Sequence, residues 1–302
     1  MSFVKATRMV FLPCKFFGIH IVNLKNPKND THSKSLLFWK FNRIILMIAT
    51  ECIFLWTLFN FPLLTLKDLV DFGQYLTFML CTWFLFYVTF CRSLSLKQLY
   101  IKFYDLSQNS FYSETNYHSV FVLCKFLTFI NFLLQMSRVY ILSQNFPNID
   151  LYYQLLIFCV QFWINNIYNY SFFIIITYIF LLSLYISEIN QFLKKNFIHR
   201  QFLRNLIDIY TKNWELADNL NSIFDIFILP ALLCEFFWII WIMYSKIYIL
   251  VENGFISANE IFEFIEHIIL AMSFSGPLLW VCSKTKNTVS FFFFFLIFSL
   301  FR

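Results

Sequence analysis

An all-α polytopic membrane protein is the fold class the sequence predicts, and three observations carry it. Hydrophobic residues make up 60% of the 302 and charged residues only 13%, about half the charged share of a soluble domain. The apolar residues gather into runs of about 20, the length that crosses a ~30 Å hydrocarbon core at ~1.5 Å per residue. The basic residues collect in alternate gaps between those runs.

Six runs meet the length criterion: Ile44–Leu66, Phe72–Cys91, Val120–Ser143, a long run within Leu151–Ser187, Ile223–Ser245 and Ile261–Cys282. The fourth is longer than one span needs, so part of it lies in an extracellular segment or extends beyond the bilayer. Eight Lys and Arg precede the first run, from Lys5 to Arg43. Arg92, Lys97 and Lys102 occupy the second gap, five more lie between Lys194 and Lys212, and Lys284 and Lys286 follow the last run. The remaining gaps hold Lys67 and Lys246 alone, a split of eighteen against two. Basic residues mark the cytoplasmic side, which predicts a cytosolic N-terminal segment over 1–43, a helical bundle over 44–282, and a C-terminal tail over 283–302.

The fourth gap, Glu188–Ser222, is cytosolic in this scheme. Leu203, Leu206, Ile209, Tyr210, Leu216, Leu220 and Phe224 recur at near-helical spacing with charges between them, the pattern of an amphipathic helix leading into the fifth span. Such a helix either lies on the bilayer or packs against other helices, and the sequence leaves both open.

The net charge of +6 follows from topology. The basic residues form no single face with interleaved polar readers, so no nucleic-acid partner is expected. Eight cysteines include no C-x-x-C pair, and most fall in apolar runs, where a thiol acts as a small hydrophobe. Five scattered histidines form no H-E-x-x-H pair, and four glycines make no phosphate-cradling loop. No enzyme, metal or cofactor is expected. The Asn169-Tyr-Ser sequon falls within a span, away from glycosylation.

A cytosolic N-terminus is the inverse of the arrangement in receptors coupled to G proteins. Three stretches add to it. Phe11-Leu-Pro-Cys-Lys-Phe-Phe-Gly18 is a short apolar segment with a glycine ahead of the first span. Leu206–Leu233, with Tyr210, Leu216, Asn221 and Phe224, approaches the fifth span from the cytosol. Cys282-Ser-Lys-Thr-Lys-Asn-Thr288 is a short polar gap after the sixth. In this order, with this topology, the chain resembles the insect gustatory receptors. The family's Thr-Tyr, five apolar residues, Gln-Phe motif of the seventh helix is absent. The tail from Val289, with Phe291–Phe295, is expected to be truncated or aberrant, and too short to span.

The resemblance implies a ligand-gated, non-selective cation channel subunit of the plasma membrane that detects small chemical tastants. It also implies a homo- or hetero-tetramer with other receptor subunits in the intact form, and a seven-helix fold of which six helices are present and the pore-lining seventh is missing. Rival readings are the odorant branch of the same superfamily and a chemosensor like the G-protein-coupled receptors. Ser137-Arg-Val-Tyr140 is similar to the arginine motif of the latter, but lies on the outer side.

A tastant arrives from outside, and pockets between helices of a bundle are common ligand sites. The outer halves of the spans carry Arg138 on the third, and Gln161, Asn165, Asn166 and Tyr168 on the fourth. Trp238, Trp241 and Tyr244 lie on the fifth and His267 on the sixth. Aromatic walls with a few amides and one cation suit a small, partly apolar molecule. Glu51 and Glu235 lie inside spans, where an ionised carboxylate is costly and should face protein or water. Lys125, near a cytoplasmic end, is placed to snorkel.

Overall fold

The computed structural model describes residues 1–17, 19, 92–112, 115–145, 151–195, 200–258 and 275–283, with scattered positions between 41 and 84 and between 260 and 286. Among the described residues every regular element is helical. Five helices are continuous: α1 (Phe3–Phe16), α2 (Ser93–Ser107), α3 (His118–Asn145), α4 (Leu151–Lys195) and α5 (Arg200–Asn253). A 3₁₀ turn, Ser110–Tyr112, links α2 to α3.

Helix α1 buries Phe3, Ala6, Thr7, Val10, Phe11 and Cys14, a spacing of three and four that keeps one face inward. Lys5 and Arg8 stay outside. The inward face packs chiefly on α3 and α4 and touches α2. Pro13 sits inside the helix and has no N–H for the carbonyl of Met9, four residues back. The hydroxyl of Thr128 on α3 lies 3.4 Å from that carbonyl and 2.9 Å from the carbonyl of Cys124 on its own helix. It has one proton to offer the two acceptors.

An aromatic column ties α1 to the rest. Phe3 meets Tyr100 and Tyr117 at ring-centroid distances of 5.5 and 5.9 Å. Phe11 meets Tyr100 at 5.0 Å and Tyr178 at 5.4 Å. Phe103 stacks on Tyr178 at 5.1 Å, and Tyr112 reaches Tyr185 at 4.7 Å. Each pair contributes on the order of 1 kcal/mol beyond area burial.

Two described stretches, His118–Ser137 of 20 residues and Asn165–Leu193 of 29, are long and apolar enough to cross a membrane; Phe236–Val251 is apolar but shorter. Asn165–Leu193 is the central helix of the bundle, whereas His118–Ser137 has an outward side. That side carries Val122, Phe126, Phe129, Leu133 and Met136, all exposed. The opposite side, with Val120, Cys124, Leu127, Asn131 and Leu134, is buried. Helix α5 repeats the pattern with exposed Leu233, Phe237, Ile240, Tyr244, Ile247 and Val251. On α3, apolar residues outside with the amides Asn131 and Gln135 inside reverse the usual amphipathicity of a helix in water.

At ~1.5 Å per residue, the 45 residues of α4 and the 54 of α5 extend about 68 and 81 Å, well beyond a bilayer core. The amphipathic segment before the fifth span is thus the first part of one unbroken helix. Leu206, Leu216, Leu220 and Phe224 are buried, and Ile209 and Tyr210 pack against the core. Of the two arrangements the sequence leaves open, packing against neighbouring helices is the one observed, with α2 as one neighbour. Helix α5 stops at Gly254, whose φ of 73° is the left-handed cap position and whose N–H returns to the carbonyl of Leu250 at 2.9 Å. Ser257 then opens the next helical stretch with a reciprocal box: its N–H donates to the Glu260 carboxylate at 2.8 Å, and the Glu260 N–H donates to its hydroxyl at 3.3 Å.

Candidate functional site

Polar side chains in the middle of apolar helices are the natural starting point, because each must find a partner inside the protein. Asn131, near the centre of α3, finds three. Its Nδ2 donates to Oδ1 of Asn166 at 2.9 Å. Its Oδ1 accepts from Nδ2 of Asn169, and from Nε2 of Gln135 at 3.4 Å. All four side chains are buried: Asn131 is 5% exposed, Asn166 and Asn169 2%, and Gln135 7%. Helical spacing places the four together, since Asn131 and Gln135 are one turn apart on α3 and Asn166 and Asn169 one turn apart on α4. Asn166 also donates to the carbonyl of Phe162 at 2.6 Å.

Such a network carries hydrogen-bond donors and acceptors but no carboxylate or imidazole; the titratable group beside it is the Tyr170 phenol, which hydrogen-bonds with Asn131. The network can hold a neutral hydroxyl or amide and fix helix register. Around it the chemistry is inert. Cys14 lies against the carbonyl of Tyr170 at 3.7 Å, and Cys124 against the Thr177 hydroxyl at 3.8 Å. Both thiols are buried. Among the described residues no three His, Cys, Asp or Glu converge as a metal site would require.

Of the residues expected to line a ligand site, Asn165, Asn166 and Tyr168 are buried on α4 and Trp238 is buried on α5. Tyr168 packs against Phe172 at 5.1 Å. Trp241 is half-buried, and its ring lies over Gly73: a Cβ there would stand 3.0 Å from Cζ2 of the indole. A side chain at Gly73 would therefore require the indole to give way by a few tenths of an ångström. Tyr244 is exposed. Arg138 and Gln161 lie on α3 and α4, where their side chains are outside the described residues, as is that of Glu235 on α5; His267 is outside them altogether. Asn166 is therefore brought to Asn131, Asn169 and Gln135, none of which the sequence marks as a ligand residue. Asn169 stands out in the sequence only as a sequon, and its amide is engaged in this network. Oε1 of Glu51 is buried with no hydrogen-bond partner, and Lys125 is exposed.

No protein-family model, no curated protein and no solved structure matches this chain.

A second polar group lies where α2, α4, α5 and the 3₁₀ turn come together, with Tyr117 at the threshold of α3. The hydroxyl of Tyr117 donates to that of Tyr185 at 3.3 Å, and Tyr185 donates to the carbonyl of Phe103 at 3.3 Å. Asn213 Nδ2 donates to the Tyr112 hydroxyl at 2.9 Å. Burial pushes the Tyr100 phenol up to about 12, with a hydrogen bond to Thr7 pulling the other way. Burial likewise raises Tyr112, opposed by Asn213, and Tyr117, opposed by Tyr185. These phenols stay neutral and serve as structure.

Proposed function

We propose that the chain is a multi-pass plasma-membrane chemoreceptor subunit of the insect gustatory type, with its N-terminus in the cytosol and a small tastant as ligand. It crosses the bilayer through the six apolar runs and acts as part of a ligand-gated, non-selective cation channel. The observation that carries the reading is the reversed amphipathicity of α3, with Phe126, Phe129 and Met136 outward and Asn131 and Gln135 inward. Lipid is the medium that covers such an outward face. The inward amides supply what a neutral polar ligand needs, at the depth where the outer-half aromatic residues end. A ligand acts on such a channel by its differential affinity for the open state.

The test records cation currents over a broad panel of small tastants in cells expressing this chain, alone and with other gustatory receptor subunits. Asn166→Ala and Trp241→Ala are expected to shift the dose–response curve while the protein still reaches the surface. A chain present at the surface that evokes no ligand-dependent current in any combination overturns the reading.

A further inference from the structure

Helix α1 belongs to the segment expected in the cytosol, yet much of its outward side is apolar, where a helix in water carries charge. Lys5 and Arg8 are exposed near its start, and beyond them the exposed side chains are Met9, Leu12 and Phe16. The opposite side, with Phe3, Ala6, Val10 and Cys14, is buried, chiefly against α3 and α4. Apolar side chains thus lie on both sides of the second half of the helix.

Three contacts fix how α1 lies along the bundle. Phe3 meets Tyr117, at the threshold of α3, at 5.9 Å. The carbonyl of Met9 lies 3.4 Å from the Thr128 hydroxyl. Phe17 stacks on Tyr170 at 5.6 Å, and the Tyr170 phenol hydrogen-bonds with Asn131, near the middle of α3. Helix α1 therefore runs beside His118–Ser137, a stretch long and apolar enough to cross a membrane, from its start to beyond its midpoint. The 14 residues of α1 rise about 21 Å at ~1.5 Å each. That length enters a ~30 Å core deeply and does not cross it.

The charges agree with such a depth. Lys5 lies one turn before Met9, and Lys125 lies about one turn before Thr128, so these exposed cations are on the same side of the contact. Past the contact, Leu12 and Phe16 continue the exposed apolar side of α3, with Phe129, Phe132 and Met136. Lysines at a leaflet boundary with apolar surface beyond them are the mark of a membrane interface, and the cytoplasmic leaflet is the anionic one. Lys15 is the one cation on the deeper half of α1. It is half-buried in the last turn, where the helix dipole favours a cation and its side chain points back toward the cytosolic end. Lys25, Lys28, Lys34, Lys40 and Arg43 follow, and basic residues keep that stretch on the cytoplasmic side.

We propose that α1 dips into the cytoplasmic leaflet, entering and leaving on the cytosolic side, with phospholipid acyl chains covering Met9, Leu12 and Phe16. The inference rests on the topology proposed above. The N-terminus itself stays in the cytosol and the docked helix alone is immersed. Pro13 leaves the Met9 carbonyl without its ladder donor in a medium that has none to offer, and the Thr128 hydroxyl is the donor at hand.

The experiment photolabels the full chain in phosphatidylcholine nanodiscs with a phosphatidylcholine that carries a diazirine midway along one acyl chain. Adducts are mapped on three tryptic peptides: residues 9–15 of α1, 126–138 of α3, and 205–212 of α5, which carries exposed Ile207 in the segment assigned to the cytosol. Acyl chains are confined to the hydrocarbon core, so the α1 peptide is expected to label about as strongly as the α3 peptide and at least about tenfold more than the α5 peptide. The parent chain is used throughout, so no variant has to fold. Labelling of α3 without α1 overturns the proposal and leaves the membrane reading standing, whether water or a second copy covers the face. Labelling of neither α1 nor α3 defeats the spanning topology and the proposal with it. Equal labelling of all three peptides overturns the proposal too, because α1 is then no more immersed than a cytosolic helix.

Discussion

Asn131 joins α3 to α4 through hydrogen bonds with Asn166 and Asn169, and holds Gln135 on its own helix. Replacing it with alanine removes three hydrogen bonds and strands the Asn166 carbonyl oxygen and the Asn169 amide in a buried place. Interhelical hydrogen bonds in membrane proteins average about 0.6 kcal/mol, but a stranded buried group costs about 1–3 kcal/mol. The expected loss for Asn131→Ala is therefore about 2–3 kcal/mol, read as a lower melting temperature in detergent; an unchanged melting temperature contradicts it. The buried phenols predict a pH dependence. Tyr100 keeps its proton up to about 12, whereas an unfolded chain releases it near 10. The folded state thus binds more protons across that window, so stability is constant below pH ~10 and falls as pH rises from about 10 to 12. The slope approaches about 1.4 kcal/mol per pH unit for each such tyrosine. Tyr100→Phe removes its share, and melting curves between pH 8 and 11 with tyrosinate absorbance as a second signal measure both.

At the scale of the element, α1 is held by Phe11 and by the Thr128 hydroxyl. Phe11 is 1% exposed and touches Tyr100 and Tyr178. Phe11→Ala is expected to cost about 3–5 kcal/mol locally and to release the N-terminal helix, which limited proteolysis detects as early cleavage near Lys15. Protection equal to that of the parent would show that α1 docks by other means. The sequence reveals elements of this kind unevenly. The long apolar run ending at Ser187 announces α4, because so extended a stretch of apolar side chains fits little but a long helix. Asn166 stands out as an amide in an apolar run. Helix α1 does not stand out as a docked element: at 14 residues, interrupted by Pro13 and Lys15, it fails a test built on bilayer thickness, and its partners lie more than 80 residues away. Asn131 and Asn169 are amides in apolar runs as Asn166 is, but their pairing lies in a contact between helices that no local pattern encodes. The continuity of α5 is hidden for a related reason. Its first half has the 3.6-residue period of an amphipathic helix and its second half is almost uniformly apolar, so one rod reads as two elements.

For the whole molecule, the basic asymmetry predicts that the N-terminus and the segment around Lys195 share the cytosolic side. Cysteines placed at Lys5 and Lys195 are expected to react with an impermeant maleimide only after permeabilisation, and reaction in intact cells sinks the orientation. The length of α5 has a mechanical consequence. The helix joins an apolar half to a half that rests on α2, and Pro230 removes one rung from its hydrogen-bond ladder partway along. From Arg200 to that rung is about 45 Å of rise. A tilt of about 5° there would carry the Arg200 tip by about 4 Å, while a side chain two turns beyond Pro230, such as Trp238, would shift by only about 1 Å.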